Sequence, residues 1–228
     1  LNSGQYAKAE SVMLEILAIL EKTVGKEDPN YTSYLANLAI VYFRTSQYTK
    51  AEPLFLEATA TWEKTGDEEH PGYAVLLYNL ADLYLTTGNY NKAEPLFHQA
   101  LAIQEKILGK MHPDYASSLN DLAALYLKMG YYGKAEPLLL EVLSIRGNIL
   151  GKEHPDYAAS LNNLGVLYED MGRYEEAEPV FLTTKAIREK TLGKKHREYM
   201  ASLNNLATLY LKMGNYSEAE RLFLEAKT

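Results

Sequence analysis

Apolar and small residues recur along this chain at helical spacing, in blocks that are themselves repeated. Between Pro155 and His196, residues Leu161, Leu164, Gly165 and Tyr168 fall at i, i+3, i+4 and i+7, one stripe of an amphipathic helix. A second stripe follows at Ala177, Phe181, Thr184 and Ile187, with Gly172 as the break between them. Pro155 suits a first helical turn, where its missing N–H costs nothing, and Asp156 sets a carboxylate at the positive end of the helix dipole. The pattern predicts two antiparallel helices of roughly 17 residues, joined by a loop of about three and separated from the next pair by about five.

The same block returns every 42 residues. Tyrosine marks the period: Tyr6, Tyr48, Tyr90, Tyr132, Tyr174 and Tyr216 form one column, Tyr31 to Tyr199 a second and Tyr42 to Tyr210 a third. Most of the 19 tyrosines lie in these columns, so tyrosine is architecture before it is chemistry. Small residues also align, as Ala39, Ala81, Ala123, Gly165 and Ala207 on first helices and Ala9 to Ala219 on second helices. They let helix backbones approach while larger neighbours fill the space beside the contact. All eight prolines are absorbed: Pro29, Pro71, Pro113 and Pro155 open first helices, and Pro53, Pro95, Pro137 and Pro179 sit early in second helices, where a slight bend is expected. Arg197 stands where a fifth opening proline would be, so that helix is expected to fray. Self-similarity at this period, in helical pairs that cannot each bury two faces, predicts a solenoid.

The run LNNL-(A/G)-x-LY-xx-MG-x-Y-xx-AE, at 161–178 and again at 203–220, resembles the tetratricopeptide repeat. The period and the LGK-x-HPDYA junctions at 108–116 and 150–158 resemble the longer form found in kinesin light chains and nephrocystin-type proteins. The resemblance implies an all-α, right-handed solenoid of stacked antiparallel helix pairs. It covers the whole of 1–228 as a single array: an orphan second helix and junction over 1–28, full repeats at 29–70, 71–112, 113–154 and 155–196, and a fifth over 197–228 with a truncated second helix. It speaks strongly for a fold and weakly for a function.

Composition narrows the functional classes. The chain has no cysteine, hence no disulfide, thiolate metal site or Cys nucleophile. A net charge of -7 argues against a phosphate-backbone binder, and no apolar run approaches the roughly 18 residues of a membrane helix. The cationic run Lys185, Arg188, Lys190, Lys194 and Lys195 is interleaved with Glu189 and reads as a solvated helix face. His70, His112, His154 and His196 recur at the period. Equivalent residues of stacked repeats lie roughly 10 Å or more apart, too far to share a metal ion, so these are junction residues beside helix starts. His98 replaces leucine in the column of Leu14, Leu56, Leu140, Leu182 and Leu224 and reads as a partly buried, hydrogen-bonded ring. No metal, cofactor or catalytic residue is expected: Ser, His and Asp fall in repeat columns on different faces, and no Gly-rich phosphate loop follows a strand.

What remains is the stripe of each first helix not used in packing. It carries the polar column Asn37, Asn79, Asp121, Asn163 and Asn205, although asparagine is a mediocre helix former. The amides are shared by descent from one copied repeat, bond a neighbouring helix, or pair with an extended peptide, since a side-chain amide both donates and accepts. In proteins of the resembled family a column of asparagines in the concave groove grips peptide backbone. Arg44, Tyr78, Asp82, Leu85, Lys128, Asp170 and Lys212 would then tune which side chains are accepted; Asp121 departs from the pattern, being unable to donate when ionised.

The expected function is a cytoplasmic, non-catalytic protein-interaction scaffold holding a peptide or partner segment, with neither nucleic acid nor membrane as partner. The alternative is a regulatory arm controlling a separate effector domain such as a caspase-like protease, an NTPase or a motor. Trp62, in a column with Gln104, Arg146 and Arg188, is expected to be exposed, and Gly147, standing where Glu63, Glu105 and Glu189 stand, should cost up to about 1 kcal/mol of helix stability. The chain reads as a piece of something longer, without capping repeats, whose apolar ends are expected to favour end-to-end self-association.

Overall fold

The structure, a computed structural model, describes residues 3–66 and 70–227, with side chains from residue 8 onward except at 65. The Tyr6 side chain and Thr228 lie outside the described residues. Among these residues the regular secondary structure is all helix, with turns between. First helices are α2 (Pro29–Arg44), α4 (Pro71–Thr86), α6 (Pro113–Lys128), α8 (Pro155–Asp170) and α10 (Arg197–Lys212). Second helices are α1 (Ser3–Thr23), α3 (Tyr48–Thr65), α5 (Tyr90–Leu108), α7 (Tyr132–Ile149), α9 (Tyr174–Leu192) and the shorter α11 (Tyr216–Glu225). Two compact units divide the chain at Gly109 and Lys110. In the first, α1 packs on α2, α2 pairs with α3, α4 pairs with α5, and α3 contacts α4. In the second, the pairs α6/α7, α8/α9 and α10/α11 stack through α7 on α8 and α9 on α10. Each unit is thus a stack of antiparallel helix pairs, an α-solenoid.

Each start and stop has a local cause. The Nδ1 atoms of His70, His112, His154 and His196 accept the backbone N–H two residues on, at 3.0, 3.2, 3.1 and 3.2 Å, and Asp28 does the same for α2 at 2.8 Å. These side chains cap amides that the helix itself leaves unpaired. The histidine column is therefore a set of N-caps. The expected fraying at Arg197 does not occur: α10 starts there and runs 16 residues, as its proline-started counterparts do, because the His196 cap holds it. At the other end Gly88, Gly130, Gly172 and Gly214 adopt φ between 73° and 78°, and the next residue's N–H returns to the tyrosine carbonyl four residues before the glycine, at 2.8 Å. This is a Schellman ending. The first pair does it with Ser46 at φ 60°, a side-chain-bearing residue in the left-handed region.

Pairs close through the small-residue columns. Ala39, Ala81, Ala123 and Ala207 are fully buried, as are Phe55, Phe97 and Phe181 on the second helices. At Gly165 the Phe181 ring comes so near that a Cβ would sit 2.6 Å from it. The helices run unbroken through Pro53, Pro95, Pro137 and Pro179.

Successive pairs are joined by polar contacts. The tyrosines at the ends of first helices donate to a glutamate on the preceding second helix: Tyr42 to Glu10 and Tyr84 to Glu52 at 2.9 Å, Tyr210 to Glu178 at 2.7 Å. A lysine from the next helix lies over two of these rings, Lys50 on Tyr42 and Lys92 on Tyr84, and Arg173, the residue before α9, lies over the corresponding Tyr168. Burial first, and the glutamate bond second, push the Tyr84 and Tyr210 hydroxyls up to about 12.

The column of Trp62 is buried, contrary to the sequence expectation. Trp62, Gln104 and Arg188 retain 6%, 5% and 5% of their surface. A second helix lies between its own first helix and the next one, so it has two covered stripes, and this column occupies the second. Trp62 stacks on His70 and Tyr73 with ring centroids 4.5 and 6.4 Å apart. Arg188 is likewise no part of a solvated cationic face. It donates to the Glu198 carbonyl at 3.1 Å and Ser202 Oγ at 2.9 Å, and pairs with the Glu198 carboxylate at 2.9 Å. Arg146 repeats this one pair earlier, on the Asp156 carbonyl and Ser160 Oγ at 3.0 and 2.8 Å. The burial expected for His98 does not hold, since that residue is exposed and its column is exposed too, Leu14, Leu56, Leu140 and Leu182 keeping 44–47% of their surface.

Candidate functional site

First helices lie side by side within each unit, α2 beside α4 in one and α6, α8 and α10 in the other. The structure therefore divides the predicted site residues into two groups. The first unit holds Asn37, Arg44, Tyr78, Asn79, Asp82 and Leu85; the second holds Asp121, Lys128, Asn163, Asp170, Asn205 and Lys212.

In the first unit the column is uneven. Asn37 is exposed, whereas Asn79 is buried and turns its Nδ2 back to the Val75 carbonyl at 2.7 Å, an internal bond of its own helix. Leu85 is buried as well, and Tyr78 lies edge-on to Phe97 with centroids 6.0 Å apart. Arg44 is exposed, its guanidinium over the Phe43 ring, and Asp82 is half-buried.

The second unit is regular. Asn163 Nδ2 donates to Asn120 Oδ1 at 3.1 Å, and Asn205 Nδ2 donates to Asn162 Oδ1 at 2.8 Å. Each amide thus reaches back to the preceding first helix, onto a residue one position ahead of its own counterpart there. Asn120 also donates to Asp121 Oδ1 at 3.3 Å, and Arg188 reaches Asn162 Oδ1 at 3.5 Å. Asn163 and Asn205 are half-buried, and among the described residues nothing donates to the Oδ1 of either. The amide planes are consequently held by one bond each while an acceptor on each is left unused. The charged flanks are Lys128 and Asp170, both exposed, and Lys212, paired at 2.8 Å with a buried Glu169 of the neighbouring first helix. The hydrogen bond to that carboxylate is the main cause that raises the Lys212 ammonium above its ordinary value.

Sequence reasoning missed the partners Asn120 and Asn162, and Glu169 as the base of the Lys212 pair. A signal for the first two existed: Asn120, Asn162 and Asn204 form a column of their own, adjacent to the one that was read. Among the described residues no three His, Asp or Glu side chains gather as metal ligands, and no helix is long and apolar enough to cross a membrane.

Comparison with known proteins accords with this architecture. The tetratricopeptide repeat matches five overlapping stretches, residues 1–64, 32–106, 74–148, 114–189 and 156–227. Among solved structures, a candidate kinesin light chain of Podosopora anserina with nearly identical TPR-like repeats is 32% identical, with a TM-score of 0.73 over 85% of this chain and 92% of that one. BtubC (BKLC) from P. vanneervenii is 24% identical, with a TM-score of 0.79 over 98% and 88%. A Rap protein complexed with Competence and Sporulation Factor is 21% identical, with a TM-score of 0.70 over 93% and 57%. No curated protein matches the chain significantly. With family matches running over nearly its whole length and helix pairs closed by the same small-residue columns, the chain belongs to the tetratricopeptide repeat family.

Proposed function

We propose that this chain is a non-catalytic interaction scaffold, and that the first-helix stripe of its second unit holds an extended peptide or partner segment. The family is one that generally mediates protein–protein contacts. The carrying observation is the pair of locked amides, Asn163 and Asn205, whose Nδ2 groups are bound to the preceding helix while their Oδ1 atoms accept nothing among the described residues. A peptide N–H can be accepted there without the cost of orienting the amide, since the inter-helix bond has already fixed it. Lys128, Asp170 and Lys212 flank the amides with mixed charge, suiting a partner that carries both signs rather than a polyanion. Asn79, bonded within its own helix, contributes little in this reading.

The test is a pull-down with the folded chain, followed by affinity measurement on the captured partner. N163A and N205A should each weaken binding by about 1–3 kcal/mol, the cost of leaving a peptide donor unpaired, with N79A close to neutral. Unchanged affinity in both N163A and N205A would sink the proposal.

A further inference from the structure

Gly147 breaks a constellation that most other repeats keep. Its column holds Glu21, Glu63, Glu105 and Glu189; five residues later stand Lys26, Lys110, Lys152 and Lys194, with Glu68 in the remaining repeat, and ten later the tyrosine that starts at Tyr31. Glu21, Glu63 and Glu189 each meet one of these partners. Glu21 pairs with Lys26 at 3.7 Å, with that ammonium over the Tyr31 ring. Glu189 pairs with Lys194 at 3.2 Å, and Tyr73 donates to Glu63 at 3.4 Å.

At Gly147 the carboxylate is gone while its lysine and tyrosine partners, Lys152 and Tyr157, are kept. The space is a cavity of about 330 Å³ lined by Leu143, Ser144, Gly147, Asn148, Lys152 and Tyr157. A Cβ on Gly147 would lie 3.4 Å from the Tyr157 ring and 3.9 Å from Lys152 Cγ, ordinary contacts that show both side chains bordering the missing one. Tyr157 is half-buried although Tyr31, Tyr73, Tyr115 and Tyr199 are buried, as expected when the covering side chain is removed. Among the described residues neither Lys152 nor the Tyr157 hydroxyl has a hydrogen-bond or ion-pair partner, and the neighbouring acid, Glu153, is paired with Lys190 at 2.6 Å. Two further departures converge on the same wall. Ser144 stands where other repeats carry Ala18, Ala60, Ala102 and Ala186, and Asn148 where they carry Lys22, Lys64, Lys106 and Lys190. The first adds a hydroxyl beside the cavity, and the second puts a short amide in place of a long cation.

We propose that this cavity is a carboxylate-binding pocket, in which an acid from outside the chain takes the place of the absent glutamate, accepting from the Lys152 ammonium and the Tyr157 hydroxyl. The ligand is a small aliphatic carboxylate or the glutamyl side chain of a peptide. Charge-assisted bonds of this kind are the strong ones, and the propionate skeleton matches the side chain that glycine lacks.

The experiment is a titration of the whole folded chain with sodium propionate, followed by amide NMR, with propionamide and sodium chloride as controls. Propionate should give saturable shifts at Gly147, Asn148 and Lys152 with an affinity of about millimolar, and the controls none. Y157F and K152M should each weaken it roughly fivefold or more. G147E restores the residue of the other repeats, so it should fold and abolish the response by filling the pocket. A peptide with a single central glutamate identifies the source: tighter binding than propionate assigns the pocket to a partner chain, equal or weaker binding to a small acid. Absence of saturable shifts, an equal response to propionamide, or a response that survives in G147E would overturn the proposal.

Discussion

Ser46 makes the turn that glycine makes in the four later pairs. It holds the left-handed conformation at φ 60°, while Gly88, Gly130, Gly172 and Gly214 hold it without a Cβ. That conformation costs an L-residue roughly 1–2 kcal/mol, partly offset for glycine by its freer unfolded chain. S46G should therefore stabilise the protein by about 0.5–1 kcal/mol in urea denaturation; a loss of stability would mean that the Ser46 hydroxyl matters more than its backbone. The capping histidines make a second prediction at this scale. H196A should cost about 0.5–2 kcal/mol, and more than H112A, because α6 also has Pro113 to start it and α10 has only its cap. H196D, which keeps an acceptor two residues before the amide, should recover most of the loss, read by the same denaturation curves.

At the scale of the helix, α2, α4 and α10 are each tied to the preceding second helix by a tyrosine and a glutamate, with a lysine over the Tyr42 and Tyr84 rings. Tyr84 and Tyr210 hold their protons up to about pH 12, against about 10 for the unfolded chain. Between those values the unfolded state releases protons that the folded state keeps, so stability is full below about pH 10 and falls as pH rises toward 12. Denaturation midpoints at pH 9 and 11 should differ, and the difference should shrink in Y84F; an unchanged difference in Y84F would show that other groups control the alkaline transition. The helices themselves were legible from the chain. Apolar stripes placed them, Pro155 and its counterparts marked starts, and Gly172 and its counterparts marked stops. The Trp62 column was not legible, because a polar residue at a helical position looks solvent-facing until the following helix is known to cover it. Arg188 is buried only because Glu198 and Ser202, on that following helix, satisfy its guanidinium.

At the scale of the molecule, the repeat period predicted the stacking of pairs, and a column of asparagines marked the candidate face. The use made of those amides could not be read from the column. Residues at the same position of two repeats share a role, whereas Asn163 bonds Asn120 and Asn205 bonds Asn162, an offset of 43 that a 42-residue register conceals. The polar joints have another consequence. Packing inside a pair buries nearly the same residues in every repeat, Ala81 and Phe97 as Ala39 and Phe55, so halves of different pairs are close to interchangeable. The joints between pairs differ: Trp62, His70 and Tyr73 make one, and Arg188, Glu198 and Ser202 another. A chimera cut at Pro155, where a repeat begins anew, would strand Arg146 from the Asp156 carbonyl and Ser160. Recombination within the three-residue turns, such as 171–173, keeps Arg188 with Glu198 and Ser202 and Tyr210 with Glu178, making the transferable segment a second helix together with the first helix that follows it.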